Sequence, residues 1–194
     1  NNGRVGGVKH SFDDLRNTTL LSRAIMQTGT DDYMTKFLTC PGPPETCVNL
    51  HYARDILAGC HVGTVSNYGP FLMYLSIALP WVGKYSEISK VHLIATEHKK
   101  AADLSATLRA LITPYFELDS ELYLTTENRF QEQVDVAVQC TSEYLGGAAH
   151  INSDANAENA FPGLTWASNV MASSGESLQV KVAICIGQRL SGDV

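Results

Sequence analysis

Hydrophobic positions in the first part of the chain recur with the 3.6-residue period of a helix, and in the last part with the two-residue period of a strand. Ser11-Phe-Asp-Asp14 resembles a capping box with Asp in place of Glu or Gln, so a helix is expected to begin at Ser11. It breaks or restarts at Asn17-Thr-Thr19, and Leu20, Leu21, Ala24 and Ile25 continue an apolar stripe that ends near Gly29. A second short helix is expected from Asp31 or Asp32, with Tyr33, Met34, Phe37 and Leu38 on its apolar side. Thr46 can cap a third, whose stripe is Val48, Tyr52, Ala53, Ile56 and Leu57 and whose stop is Gly59. Pro70 suits the first turn of a fourth, in which Phe71 to Leu79 is apolar on nearly every side until Pro80. Such a helix belongs in the middle of a core.

Beyond Lys90 the pattern changes. Val91-His-Leu-Ile-Ala95 reads as a short strand and Glu97 to Ile112 as an amphipathic helix, which together make one βα unit. Glu121 to Thr125 reads as strand. Val134, Val136, Val138 and Cys140 alternate regularly enough to favour a strand over a helix spanning Glu127 to Leu145. Leu178, Val180, Val182, Ile184 and Ile186 alternate in the same way and form the strongest strand signal in the chain. Residues 1–10 read as an N-terminal arm, and 146–163 as a long loop or arm rich in turn formers. These elements predict an α+β fold in one domain, 1–194, with a helical first half (about 11–113) packed on one face of a mostly antiparallel sheet formed by the second half. A jelly roll needs about eight strands, which the first ninety or so residues do not supply.

Composition narrows the function classes. The chain has 194 residues, enough to bury a sizeable core, and only 18% of them are charged. Uncharged polar surface is cheaper to desolvate than charged surface, which favours burial against other copies. The net charge of −6 argues against a surface built on phosphate contacts, so nucleic acid fits only as a partner enclosed by an assembly. The longest apolar stretch, Pro70 to Val82, is shorter than the ~20 residues of a membrane helix and contains Pro80, so no membrane span is expected. The start at Asn1, without Met or the apolar core of a signal peptide, reads as processed, cut or trimmed.

Five cysteines cannot all pair within one chain. Cys40-Pro-Gly-Pro-Pro-Glu-Thr-Cys47 bends back on itself and can bring its two sulfurs together, making Cys40 and Cys47 the candidate disulfide. With His51, Cys60 and His61 nearby, zinc is a natural thought, but the spacing lacks the C-x2-4-C knuckle of a structural site. No metal site is expected. Cys140 and Cys185 each fall in an apolar strand pattern and read as small core residues, leaving isolated thiols on an intracellular protein as the plainest reading.

Motifs for chemistry are sparse. The start of the Glu97 helix could hold an anion or nucleotide near residues 96–100 through Thr96, His98 and Lys99, with His150 of the long loop closing over it. Both glycine-rich phosphate-binding patterns are missing there. His92 and His98 flank Glu97, but a strand would turn residues 92 and 97 to opposite sides. No G-x-S-x-G nucleophile occurs, no catalytic residue is assigned and no cofactor is called for. The preferred reading is a non-catalytic structural subunit that self-assembles with copies of itself into a homomeric shell or filament, such as a viral coat protein in a virion. The alternative is a small soluble α+β enzyme or ligand-binding domain of the cytoplasm. A third reading, a secreted disulfide-stapled interaction domain, rests on Cys40, Cys47 and the lone sequon at Asn17.

Overall fold

In the computed structural model, which describes residues 31–39, 48–89, 105–145 and 161–192 and the backbone of 4–5 and 8–9, helices make up the second half of the chain as well as the first. They are α1 (Tyr33–Thr39), α2 (Leu50–Ala58), α3 (Tyr68–Ala78), α4 (Tyr85–Ile88), α5 (Ala106–Ile112), α6 (Glu117–Tyr144), α7 (Pro162–Ser173) and α8 (Glu176–Ser191), with short 3-10 turns at Val65–Asn67, Pro80–Val82 and Thr113–Phe116. Among the described residues the only strand ladder is β1 (Arg4–Val5) against β2 (Val8–Lys9), antiparallel, with Val5 opposite Val8.

The α+β expectation is therefore corrected: among the described residues of the second half there is no antiparallel sheet, and α6, α7 and α8 stand in its place. The cause is legible in burial. In α8 the inward residues are Val182, Cys185 and Ile186, flanked by half-buried Leu178 and Leu190, while Val180 and Ile184 are exposed. Apolar residues on two faces of one helix, 178/182/186 and 180/184, add up to an apparent two-residue alternation. In α6 the buried set Phe130, Gln133, Val134, Ala137, Cys140 and Thr141 has helical spacing, and the valine alternation that suggested a strand is a subset of it with two half-buried neighbours.

By internal contacts the chain divides into two compact units, one of residues 57–95 with 125–194 and the other of residues 1–56 with 96–124. The core of the first is built on α3, which packs against α7 and α8. As its uniformly apolar sequence requires, no residue of α3 is fully exposed, and Tyr74, Ile77 and Ala78 are buried with Phe130 and Ala137 of α6, Leu164 and Met171 of α7, and Val182 and Ile186 of α8. Phe130 is the hub of an aromatic cluster, edge-on to Phe71, Tyr74 and Phe161 with ring centroids 6.1, 6.3 and 5.6 Å away. Gly63 lies against this cluster: a Cβ there would come within 2.4 Å of the Phe71 ring.

A disulfide joins Cys140 of α6 to Cys185 of α8 across 45 residues of sequence. Both are buried, as expected of small core residues, but they are bonded to each other rather than free. Chain entropy for a loop of this length gives a cross-link worth about 4 kcal/mol at most. Cys60 is a free, exposed thiol.

Two polar side chains complete this unit. Gln133, fully buried, accepts from the Val62 amide and donates to the Cys60 carbonyl, each at 3.2 Å. Arg129 donates to the Ala58 carbonyl at 2.9 Å and the Leu190 carbonyl at 3.4 Å, placing a cation at the C-terminal ends of α2 and α8, where helix carbonyls favour one. Its Nε is buried and has no hydrogen-bond partner among the described residues.

In the other unit, α1 and the start of α6 cap each other. The Asp119 carboxylate accepts from the Met34 and Thr35 amides at 2.9 and 2.8 Å and from the Thr35 hydroxyl at 2.8 Å, and the Asp32 carboxylate accepts from the Asp119 amide at 2.9 Å. These are amides that a helix start leaves unpaired. Asp32 takes a positive φ of 43°, a conformation that Asp tolerates better than most residues. Asn49 accepts from the Tyr52 amide at 3.0 Å at the start of α2, and Arg54 of α2 pairs with Glu121 of α6. Ser105 caps α5.

Several expectations lie outside the described residues: the helices of 11–29, the arm of 1–10, Thr46, and the strand and first part of the helix in the βα unit. The loop of 146–163 does too except for 161–163, where Pro162 and Gly163 begin α7. Among the described residues, no helix is long and apolar enough to cross a membrane.

Two substitutions test these contacts. Gly63→Ala should destabilise the fold by about 1–3 kcal/mol through overpacking against Phe71, read by urea denaturation. Asp119→Ala removes three accepted hydrogen bonds and should speed amide exchange at Met34 and Thr35 while leaving the α3 and α8 amides protected.

Candidate functional site

Two surface features stand out, one in each unit. The first is α1, which is inverted: Thr35 and Thr39 are buried, at 0% and 6% exposure, whereas Tyr33, Met34 and Phe37 face outward, Phe37 at 68%. The sequence predicts the opposite face inside. The cause is the Asp119 cap, which takes the Thr35 hydroxyl along with the Thr35 amide, and the Thr39 hydroxyl then bonds to the Thr35 carbonyl at 2.8 Å. Hydrogen bonds to a charged group are worth about 1.5–3 kcal/mol each. Half-covering three large apolar side chains would return roughly 2–4 kcal/mol in total. Three bonds to one carboxylate therefore outweigh the apolar face. Tyr33 and Phe37 stack on each other, centroids 6.2 Å apart, and form a ridge. Tyr123 and Leu124 of α6 line a shallow hollow of about 450 Å³ together with Asp119 and Ser120. Because Asp119 both caps α1 and lines the hollow, ridge and hollow share an edge.

The second feature is a half-open cavity of about 760 Å³ in the unit built on α3. One wall is the end of α3 and the turn after it, Ala78, Leu79, Pro80 and Trp81; the other is the outward stripe of α8, Gln179, Val180, Ala183, Ile184 and Gly187. Pro80 stops α3 and opens the 3-10 turn, which leaves Trp81 79% exposed at the rim. His61 and Glu176 supply the titratable groups. The His61 ring, open to solvent on one side, shares a hydrogen bond from Nδ1 with the Tyr74 hydroxyl. Burial of its packed side, and then the Arg129 guanidinium, hold its pKa below the ordinary 6.5, while burial pushes the Tyr74 phenol up. Near neutral pH the imidazole is uncharged. Gln179 spends its amide donors on the Met171 and Ser174 carbonyls at 2.9 and 3.1 Å, leaving its side-chain oxygen as an acceptor.

Thr96, His98, Lys99 and His150, expected to bind an anion, lie outside the described residues, as do Cys40, Cys47 and Asn17. Of the residues weighed for zinc, His51 and Cys60 are exposed and His61 is engaged with Tyr74; among the described residues no group of three or more His, Cys, Asp or Glu is placed to hold a metal ion. Sequence reasoning missed the outward ridge, Trp81 and the Cys140–Cys185 bond. Spacing held one usable signal, the i, i+4 pair Val180 and Ile184 left over once 178, 182 and 186 are assigned to a core stripe.

No family model, curated protein or solved structure matches the chain. The capsid and virion assignment is therefore withdrawn, because no matching family, protein or structure supports it.

His61 gives a pH prediction with a definite sign. Its folded pKa lies below the unfolded value, so the unfolded chain binds more protons in acid, and the contribution to stability is complete above pH 6.5 and lost as the pH falls through 6.5 toward the folded value. Urea midpoints measured from pH 7.5 down to 4.5 should fall, and His61→Gln should flatten the decline between 6.5 and 5. An equal slope in both proteins would assign the decline to other groups.

Proposed function

We propose that the chain is a non-catalytic structural subunit that self-assembles into a homomeric shell or filament. The observation that carries this reading is the inverted helix α1, which exposes Tyr33, Met34 and Phe37 while burying two threonines. Exposed apolar ridges of this kind mark surfaces that are covered in use. The low charge content supports the same reading, because few charges must be desolvated when copies meet.

A ridge on α1 and a hollow on α6 share an edge, so two copies that seat ridge in hollow reciprocally about a two-fold axis close as a dimer, whereas a one-way contact of one copy's ridge in the next copy's hollow is heterologous. In the one-way contact each added copy leaves one ridge and one hollow unused, and the series closes into a ring or shell or continues as a filament.

Sedimentation velocity across a concentration series tests this. Wild type should grow with concentration well beyond a dimer, whereas Phe37→Asp and Leu124→Asp should each remain monomeric, since both substitutions sit at exposed positions and leave the core alone. Mixed in equal amounts, the two variants retain one intact ridge and one intact hollow and should stop at a heterodimer. A wild type that stays monomeric or stops at a dimer at high concentration, or variants that assemble as it does, would overturn the proposal.

A further inference from the structure

The cavity between the end of α3 and α8 has a different character from the ridge and hollow, and its chemistry points to a ligand rather than to another copy. Its volume of about 760 Å³ falls in the range of small-molecule sites. The walls are largely apolar, with Val180 and Ile184 exposed and available on one side and the Trp81 indole on the other. Glu176 is the one lining residue of fixed charge among those described. It sits in the first turn of α8, where a carboxylate complements the helix end.

We propose that this cavity binds a hydrophobic organic cation, an alkylamine or quaternary ammonium with a short apolar chain. Glu176 supplies charge complementarity, and the exposed face of Trp81 adds cation–π attraction, which is strongest for indole. The apolar body lies against Val180 and Ile184, and the small Ala183 between them and Gly187 beyond them leave room for it. His61 does not oppose the cation near neutral pH, and the Gln179 side-chain oxygen is an acceptor suited to an N–H of an amine head group. An anion of the same shape meets Glu176 with no described cation on the lining to offset it. The proposal stands apart from self-assembly, since it uses no residue of the ridge or the hollow.

The test uses three probes with one chain length and different heads: hexyltrimethylammonium, 1-hexanol and hexanesulfonate. Each is titrated into the full chain of the Phe37→Asp variant, held monomeric so that assembly does not mask the result, and the methyl resonances of Val180, Ala183 and Ile184 are followed by NMR. Hexyltrimethylammonium should bind about tenfold more tightly than hexanesulfonate, the combined effect of an attraction gained and a repulsion avoided. Glu176→Gln, at an exposed position, should weaken the cation several-fold while leaving 1-hexanol unchanged. Ala183→Trp, which fills the cavity, should abolish the shifts for all three probes; if that variant fails to fold, Trp81→Ala at the exposed rim should still weaken the cation several-fold more than the alcohol. Equal binding of cation and sulfonate, or no methyl shift with any probe, would overturn the proposal. Failure of Phe37→Asp to become monomeric bears on self-assembly alone.

Discussion

The reciprocal cap between Asp32 and Asp119 is the constraint on which the outer surface of the protein depends. Each helix start leaves amide groups without partners, and here two starts distant in sequence satisfy one another through a pair of carboxylates. The cap has a second effect. By accepting the Thr35 hydroxyl as well as its amide, Asp119 decides which face of α1 turns inward, and the aromatic and Met side chains are left outside. An electrostatic preference of a few kcal/mol thus overrides the usual apolar-inside rule and creates the surface on which self-assembly is argued.

Similar polar contacts organise the unit built on α3. Gln133 and Arg129 of α6 hold the backbone of Ala58, Cys60 and Val62, and Tyr74 of α3 holds His61 of the same segment. The cavity lined by His61 is in this way tied to the core rather than carried on an isolated loop. The Cys140–Cys185 bond fastens α8 to α6 from the side opposite the stripe that lines the cavity: Cys185 is buried with Val182 and Ile186, whereas Val180 and Ile184 face out. One helix therefore serves a core on one face and a binding surface on the other.

That double role explains what the sequence does and does not reveal. Helices α2 and α3 are legible because each has one apolar stripe, or is apolar all round, and because Gly59 and Pro80 mark their ends. α8 is misread because two apolar faces superimpose into the alternation of a strand, and the valines of α6 mislead in the same way. The position of α1 is legible but its orientation is not, since that is set by Asp119, more than eighty residues away. The disulfide was hidden for a related reason, as two cysteines 45 residues apart meet only once both segments are helical and packed. The candidate site inherits these limits: the stripe of α8 could be found from spacing, but its meeting with Trp81 and His61 depends on packing.

We infer that α1 carries its apolar face outward on the free subunit and covers it on assembly. Hydroxyl-radical footprinting of Met34 and Phe37, with the wild-type chain at concentrations below and above the assembly range, tests this directly. The account predicts heavy oxidation of both residues in dilute solution and strong protection in concentrated solution. Met34 and Phe37 protected at every concentration would mean that the free subunit already buries them, and would contradict it.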